Sequence, residues 1–286
     1  MSCTMGKALK GIKDTEDRLL TLEQEIDLVQ FIKNYIHNRN GHLFNLYVSG
    51  SHLYGWSSKD SDIDFRGVYT SDIRNFLGLK GNKDVLHPRH IVTADDYRLS
   101  LKDIDLDIEL FEIKKMIDLA LQGNCNILEE LSAEHIYNVP EFLKLRGLLL
   151  DAYGKNGLYG SYRGMARFNY RKYIRQGRNT TKKYLYVFRS LMAGIYALQT
   201  GRIEPNIIKL NKYFEDALVE NLIDTKTNGL EKDLYKGTNA DALDENIKTY
   251  MKSMEEAFIE SKLPEKPSEK DVEKINKWLI DFRLEE

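Results

Sequence analysis

Between Asp103 and Phe111 the chain alternates without a slip. Asp103, Asp105, Asp107 and Glu109 fall on one parity, and Ile104, Leu106, Ile108 and Leu110 on the other. A period of two fits a β-strand and no helix, because successive strand side chains point to opposite faces of the sheet. The spacing therefore predicts a strand with one apolar face and one acidic face. Four acids on one side of a strand also need a reason, since like charges on one face repel.

A second acidic pair supplies that reason. Leu43 to Ser49 is a short run rich in β-formers, and it reads as a buried strand. Gly50-Ser51 follows directly, then a helical turn or two over Ser51–Trp56 and a polar loop, 57–61. The next strand is expected from Asp62 to Tyr69, with Ile63, Phe65 and Val68 as its apolar residues. Alternation puts Asp62 and Asp64 on one face, about 7 Å apart at the Cα atoms from the strand rise. Two carboxylates so placed suit hard divalent cations, which prefer oxygen ligands. Two such ions assist phosphoryl and nucleotidyl transfer by activating one oxygen and neutralising another. Gly50 removes a side chain where backbone must approach phosphate, and Ser51 adds a hydroxyl beside helix amides. For the third carboxylate the acidic parity offers Asp107 first, then Glu109 and Asp105.

The remaining organisation is helical. Thr21 with Gln24 forms a capping-box pattern before a helix expected over 22–38. Residues 71–100 read as a helix-loop insertion. Helices are expected from Glu112 to the Gly123-Asn124 stop, then over 126–132, 140–153, 160–176 and 180–200. Residues 206–286 read as helical, with charged loops at 224–245 and a break at Pro264 and Pro267. The expected division is an N-terminal segment, 1–21, an α/β core, 22–135, and an all-helical part, 136–286. The fold class is α+β.

Composition narrows the setting. No apolar run approaches the roughly 20 residues that cross a bilayer. The first ten residues carry no secretory pattern, so no membrane partner is expected. Cys3 and Cys125 lack metal-ligand spacing and fit a reducing cytosol, which places the chain in the cytoplasm. The chain totals −2, yet residues 151–200 hold ten Lys/Arg against Asp151 alone, a net of +9. Such a block suits a triphosphate or a nucleic-acid backbone. Tyr162, Phe168, Tyr170 and Tyr173 lie among these charges and would suit stacking on bases, although helix cores use the same residues.

The stretch Gly50-Ser51-His52-Leu53-Tyr54-Gly55-Trp56, followed by Asp60-Ser61-Asp62-Ile63-Asp64-Phe65-Arg66-Gly67-Val68-Tyr69, resembles the DNA polymerase β-like nucleotidyltransferase superfamily. Within it the chain is similar to the nucleotidyltransferases associated with RNA repair. Lys115-Met116 and Gly123-Asn124-Cys125-Asn126-Ile127-Leu128-Glu129 resemble a second family block, with Cys125 where proline is usual. Lys182, Tyr186 and Arg189 resemble a third, Lys-(x3)-His-(x2)-Arg, with Tyr186 in the histidine position. The resemblance spans roughly 44–205.

It implies a small polymerase β-like sheet with flanking helices and an NTP substrate, ATP among the candidates. It also implies two Mg²⁺ ions, with Mn²⁺ as a substitute, held by Asp62, Asp64 and Asp107. Gly50 and Ser51 would hold the triphosphate. Lys182 and Arg189, at i and i+7 on one helix face, would reach phosphate or base. His52 is expected at the pocket edge, Ser61 at a loop bond or a phosphate, and Arg66 beside the carboxylates or the substrate. Tyr54 and Trp56 are divided between base stacking and core. The expected reaction moves an NMP to an acceptor hydroxyl, with RNA or another nucleic acid docked on the basic 155–189 segment. Transfer to a partner protein (AMPylation), a non-catalytic binding module of the same fold and a sugar-nucleotide glycosyltransferase are the competing readings.

Overall fold

A computed structural model describes residues 19–58, 61–79, 81–88, 106–177, 180–229 and 240–285. Helix α1, Leu22–His37, opens on the expected capping box. Gln24 N–H donates to the Thr21 hydroxyl at 3.2 Å, and Thr21 N–H donates to Gln24 Oε1 at 2.8 Å. Leu28, Phe31, Ile32 and Ile36 form its buried stripe. Strand β1, Gly41–Val48, is buried on both faces through most of its length, which explains an apolar run without alternation. Short helix α2, Gly50–Tyr54, leads to β2, Ile63–Ser71.

Of the expected insertion at 71–100, helix α3, Ile73–Leu77, and the two-residue β3, Val85–Leu86, are described. Strand β4, Leu106–Glu112, carries the alternation: Ile108 and Leu110 are fully buried, while Asp107 and Glu109 keep partial exposure. Asp103 and Asp105 lie outside the described residues. Helices α4, Ile113–Leu121, and α5, Cys125–Leu131, follow. Strand β5, His135–Asn138, comes next and was not anticipated. It pairs antiparallel with β1, placing Tyr47 opposite His135, and it straddles the expected division at 135. Its four residues are too few for a period to register.

The sheet order is β3-β4-β2-β1-β5. β1 runs antiparallel to β2 and β5, whereas β2 and β4 are parallel. One face is closed by α1 over Leu43, Leu46, Phe65, Tyr69, Ile108 and Leu110. Phe44 and Val68 belong instead to a cluster shared with the C-terminal helices. Asp64, Arg66 and Val68 share a parity on β2, so the acidic residues lie on the sheet face that turns toward those helices.

They are α6, Pro140–Leu150, α7, Lys155–Asn169, a π-helical turn at Tyr170–Ile174, α8, Thr181–Thr200, α9, Ile207–Phe214, α10, Ala217–Asn228, α11, Ala240–Glu260, and α12, Glu269–Glu285. The helix expected over 160–176 thus begins at Lys155 and ends in the π turn, and helix enters both ends of the stretch assigned to charged loops, 224–245. Among the described residues no helix is long and apolar enough to cross a membrane.

Candidate active site

β1 ends beside the start of β2, where Ser49 N–H donates to the Asp64 carbonyl at 2.8 Å. The next residue, Gly50, has φ 63°, a region that L side chains rarely enter. A Cβ there would overlap Oδ2 of Asp64. Glycine is therefore required twice, for the turn and for the close approach of the Asp64 carboxylate. Ser51 is buried in the first turn of α2, and His52 beside it is half-buried. Ser49, the N-cap of α2, makes no side-chain cap bond.

The parallel register sets Asp64 directly opposite Asp107 and Arg66 directly opposite Glu109. The Arg66 guanidinium stands among all three acids, 3.8 Å from Asp64, 3.5 Å from Asp107 and 3.2 Å from Glu109. It also donates to the Asp107 carbonyl at 3.2 Å. His87 lies 3.9 Å from the far oxygen of Glu109; nothing in the spacing of the sequence singled it out. Burial pushes the Asp64 carboxyl above its ordinary range. Arg66 pulls it back, Asp107 pushes it further up, and the Lys182 ammonium pulls it down. Asp62 is exposed and immediately precedes β2 instead of lying within it.

Asp62, Asp64, Asp107 and Glu109 offer carboxylate oxygens only, the donor set of a hard divalent cation. The crowding of Asp64 by Asp107 is what such a cation would relieve. Among the described residues no group of three or more His, Cys, Asp or Glu side chains already surrounds a common point. The acids surround Arg66 instead.

The third motif runs away from the site as α8 advances. Lys182 lies in the first turn of α8. Tyr186, one turn on, packs edge-on to Trp56 at 5.2 Å and to Tyr54 at 6.1 Å. Arg189 corrects the expectation that it reaches phosphate or base: it is 0% exposed and paired with the equally buried Glu129. Its guanidinium lies 3.8 Å from the Tyr54 ring centroid and 3.3 Å from Sδ of Met165. A buried cation on a buried acid is a structural strut. It also joins the second sequence block, through Glu129, to the third. Trp56 is fully buried, which assigns it to the core. Ser61 takes the loop-bonding role, accepting from Ser58 N–H at 3.0 Å.

Within the basic segment the aromatic residues divide. Tyr162 is fully buried and Tyr170 bonds Asp244. Phe168 is 55% exposed, with the Lys172 ammonium 4.8 Å from its ring centroid. Lys183, the neighbour of Lys182, stands 4.0 Å from the Tyr173 ring centroid. Arg178 lies outside the described residues. A cavity of about 330 Å³ opens elsewhere, lined by His42, Thr70, Glu141 and Phe282 among others. It sits at the opposite ends of β1 and β2 from Asp64 and holds none of the expected site residues.

Next to Arg66, across β1, lies Tyr47, whose hydroxyl donates to buried Glu130 at 2.5 Å. Burial lifts the Glu130 carboxyl to about 8, and donation by Tyr47 offsets only part of that. The folded chain thus holds a proton that the unfolded chain releases near the ordinary carboxylate value. The resulting stability is fully present below that value and is lost as pH rises through about 8. Thermal melts of wild type and Glu130→Gln between pH 5 and 9 check this. Glutamine keeps an acceptor for Tyr47, so the variant is expected to lack the wild-type decline, which is at most about 1.4 kcal/mol per pH unit for one proton.

The chain is similar to uncharacterized protein YcgL of Bacillus subtilis, with 27% identity over 236 residues, 79% of this chain and 85% of that protein. An uncharacterized protein of Methanocaldococcus jannaschii is 26% identical over 230 residues, 78% of this chain and 87% of its own. Among solved structures, spectinomycin adenyltransferase AAD(9) from Enterococcus faecialis, with ATP and spectinomycin, aligns at 16% identity and a TM-score of 0.47. That alignment covers 82% of this chain and 99% of that one. A nucleotidyltransferase-like protein from Exiguobacterium sibiricum aligns at 12% identity and a TM-score of 0.30, over 92% and 80% of the two chains. The family model described as RNA repair pathway DNA polymerase beta family, RlaP, matches residues 22–281, and the chain therefore belongs to the RlaP family of nucleotidyltransferases.

Proposed function

We propose that the chain transfers a nucleoside monophosphate from an NTP, ATP among the candidates, to an acceptor hydroxyl on RNA in a reducing cytosol. The observation that carries this reading is the register of β2 on β4. It sets Asp64 against Asp107 while the Gly50 turn presses on the Asp64 carboxylate. Asp62, Asp64 and Asp107, with Glu109 as the alternative to Asp107, would hold two Mg²⁺ or Mn²⁺ ions, which supply charge neutralisation at the attacking and leaving oxygens. Gly50 and Ser51 receive the triphosphate on backbone amides and a hydroxyl, with His52 at the rim. Lys182 adds a positive charge on the same side, near enough to act on Asp64. Arg66 holds the acids in place until the substrate enters.

The acceptor hydroxyl gives its proton to water, its oxygen forms a bond to the α-phosphorus as the bond to the bridging oxygen breaks, and pyrophosphate leaves. The exposed Phe168 and the Lys172–Tyr173–Lys183 group support a single-stranded acceptor, since bases stack on aromatic rings while ammonium groups follow the backbone. Incubation with ATP labelled at the α- or the γ-phosphate tests this. Label from the α position is expected on RNA, with none from the γ position. Label on protein instead would favour the AMPylation reading, and transfer of the γ label would overturn both.

A further inference from the structure

Gly55 and Ser58, between α2 and β2, are met from far along the chain. Gly55 ends α2 with φ 82°, and a Cβ there would collide with the side-chain amide of Asn206, the N-cap of α9. Three residues later the Ser58 hydroxyl accepts from Nζ of Lys226 at 2.7 Å, across 168 residues of sequence. Ser58 is 7% exposed and Lys226 only 2%. The Ser58 and Ser61 hydroxyls lie 3.0 Å apart, and Ser61 N–H returns to the Ser58 carbonyl at 3.0 Å. An ammonium can only donate, so Ser58 accepts from Lys226, and either hydroxyl of the Ser58–Ser61 pair can donate to the other. The bonds link Lys226 through Ser58 to Ser61, and Asp62 is the next residue.

Lysine almost never buries its head group. On α10 the other inward residues are Val219, Leu222 and Ile223, and Lys226 continues their stripe at helical spacing. A leucine there would pack without stripping a charge of water. What lysine adds is a hold on Ser58, four residues before Asp62.

We propose that Lys226 is a positioning residue of the active site: it fixes Ser58, and through Ser58 it fixes Ser61, so that Asp62 stands beside Asp64. Helices α9 and α10 are on this account part of the catalytic architecture. The inference rests on Asp62 and Asp64 holding a cation, so its test carries a separate arm for that premise.

The probe is Mn²⁺ affinity of the full chain, read from the paramagnetic resonance of the free ion. Lys226→Met and Ser58→Ala are each expected to weaken binding about tenfold, the scale of a lost supporting contact behind a metal ligand. The double variant should weaken it no further than either. Amide exchange at Ser58 and Ser61 should rise in parallel. Asp64→Asn should abolish binding. Wild-type affinity in folded Lys226→Met and Ser58→Ala, with binding lost in Asp64→Asn, would overturn the positioning role. Wild-type affinity in Asp64→Asn would overturn the site itself. Should Lys226→Met fail to fold, Ser58→Ala, which leaves the α10 stripe intact, decides the matter.

Discussion

Replacing Asp64 or Asp107 by asparagine is expected to cut nucleotidyl transfer by at least about a thousandfold, roughly 4 kcal/mol of barrier, while leaving the fold intact. Asparagine keeps the shape of the side chain and removes the charge that a divalent cation needs. The thermal consequence is expected to be small, unlike that of the usual core substitution. Burial and the neighbouring Asp107 already disfavour the ionised form of Asp64, so neutralising it relieves repulsion even as Arg66 loses one partner. Melting temperatures should therefore stay near wild type, with shifts within about 1 kcal/mol. Asp118→Asn, at an exposed pair with Lys114 on α4, serves as the control and should leave transfer unchanged. Loss of activity accompanied by unfolding, or activity retained in both variants, would count against the assignment.

Arg189→Met is expected to produce the largest loss of stability, for a different physical reason. Glu129 and Arg189 have no exposed side-chain surface, and removing one partner leaves the other charge buried without compensation. Such breakage costs about 3–5 kcal/mol. Burial pushes the Glu129 carboxyl up while Arg189 holds it down, so without the arginine the acid takes a proton in the folded state. Pairing Arg189→Met with Glu129→Gln should recover part of the loss, because the apolar replacement no longer strands a charge. Urea denaturation of the single and double variants measures this. Equal midpoints for Arg189→Met and wild type would contradict the strut. Since the Arg189 guanidinium lies against Tyr54 of α2, loosening it should also weaken NTP binding at the Gly50–Ser51 turn.

Much of the local structure around the candidate site could be read from sequence because its determinants are local. The capping box at Thr21, the Gly50-Ser51 turn and the alternation through Asp107 and Glu109 are each written within a few residues, and the structure has them in place. What depends on register could not be read. The hub at Arg66 needs β2 to lie parallel to β4 with Asp64 opposite Asp107, and a crossover of that length leaves no local mark. Arg189 shows the limit of helical periodicity. Spacing of i and i+7 places it on the face of Lys182, yet most of α8 from Tyr184 to Leu198 is buried, so Arg189 meets Glu129 in the core. The hold of Lys226 on Ser58 is longer in range still, and a lysine in a polar-looking helix gives no sign of burial. Strand β5 was missed because four residues, half-buried on both sides, carry no pattern.

In the proposed mechanism, acids from β4 and from the start of β2 gather cations beside the Gly50 turn. A structure with Mg²⁺ and a non-hydrolysable NTP tests it most directly. The expected result is cations bounded by Asp62, Asp64 and Asp107, with the triphosphate on Gly50 and Ser51 and Arg66 moved off the acids. A nucleotide seated elsewhere, for example in the cavity between His42 and Phe282, with the acids still closed on Arg66, would contradict it.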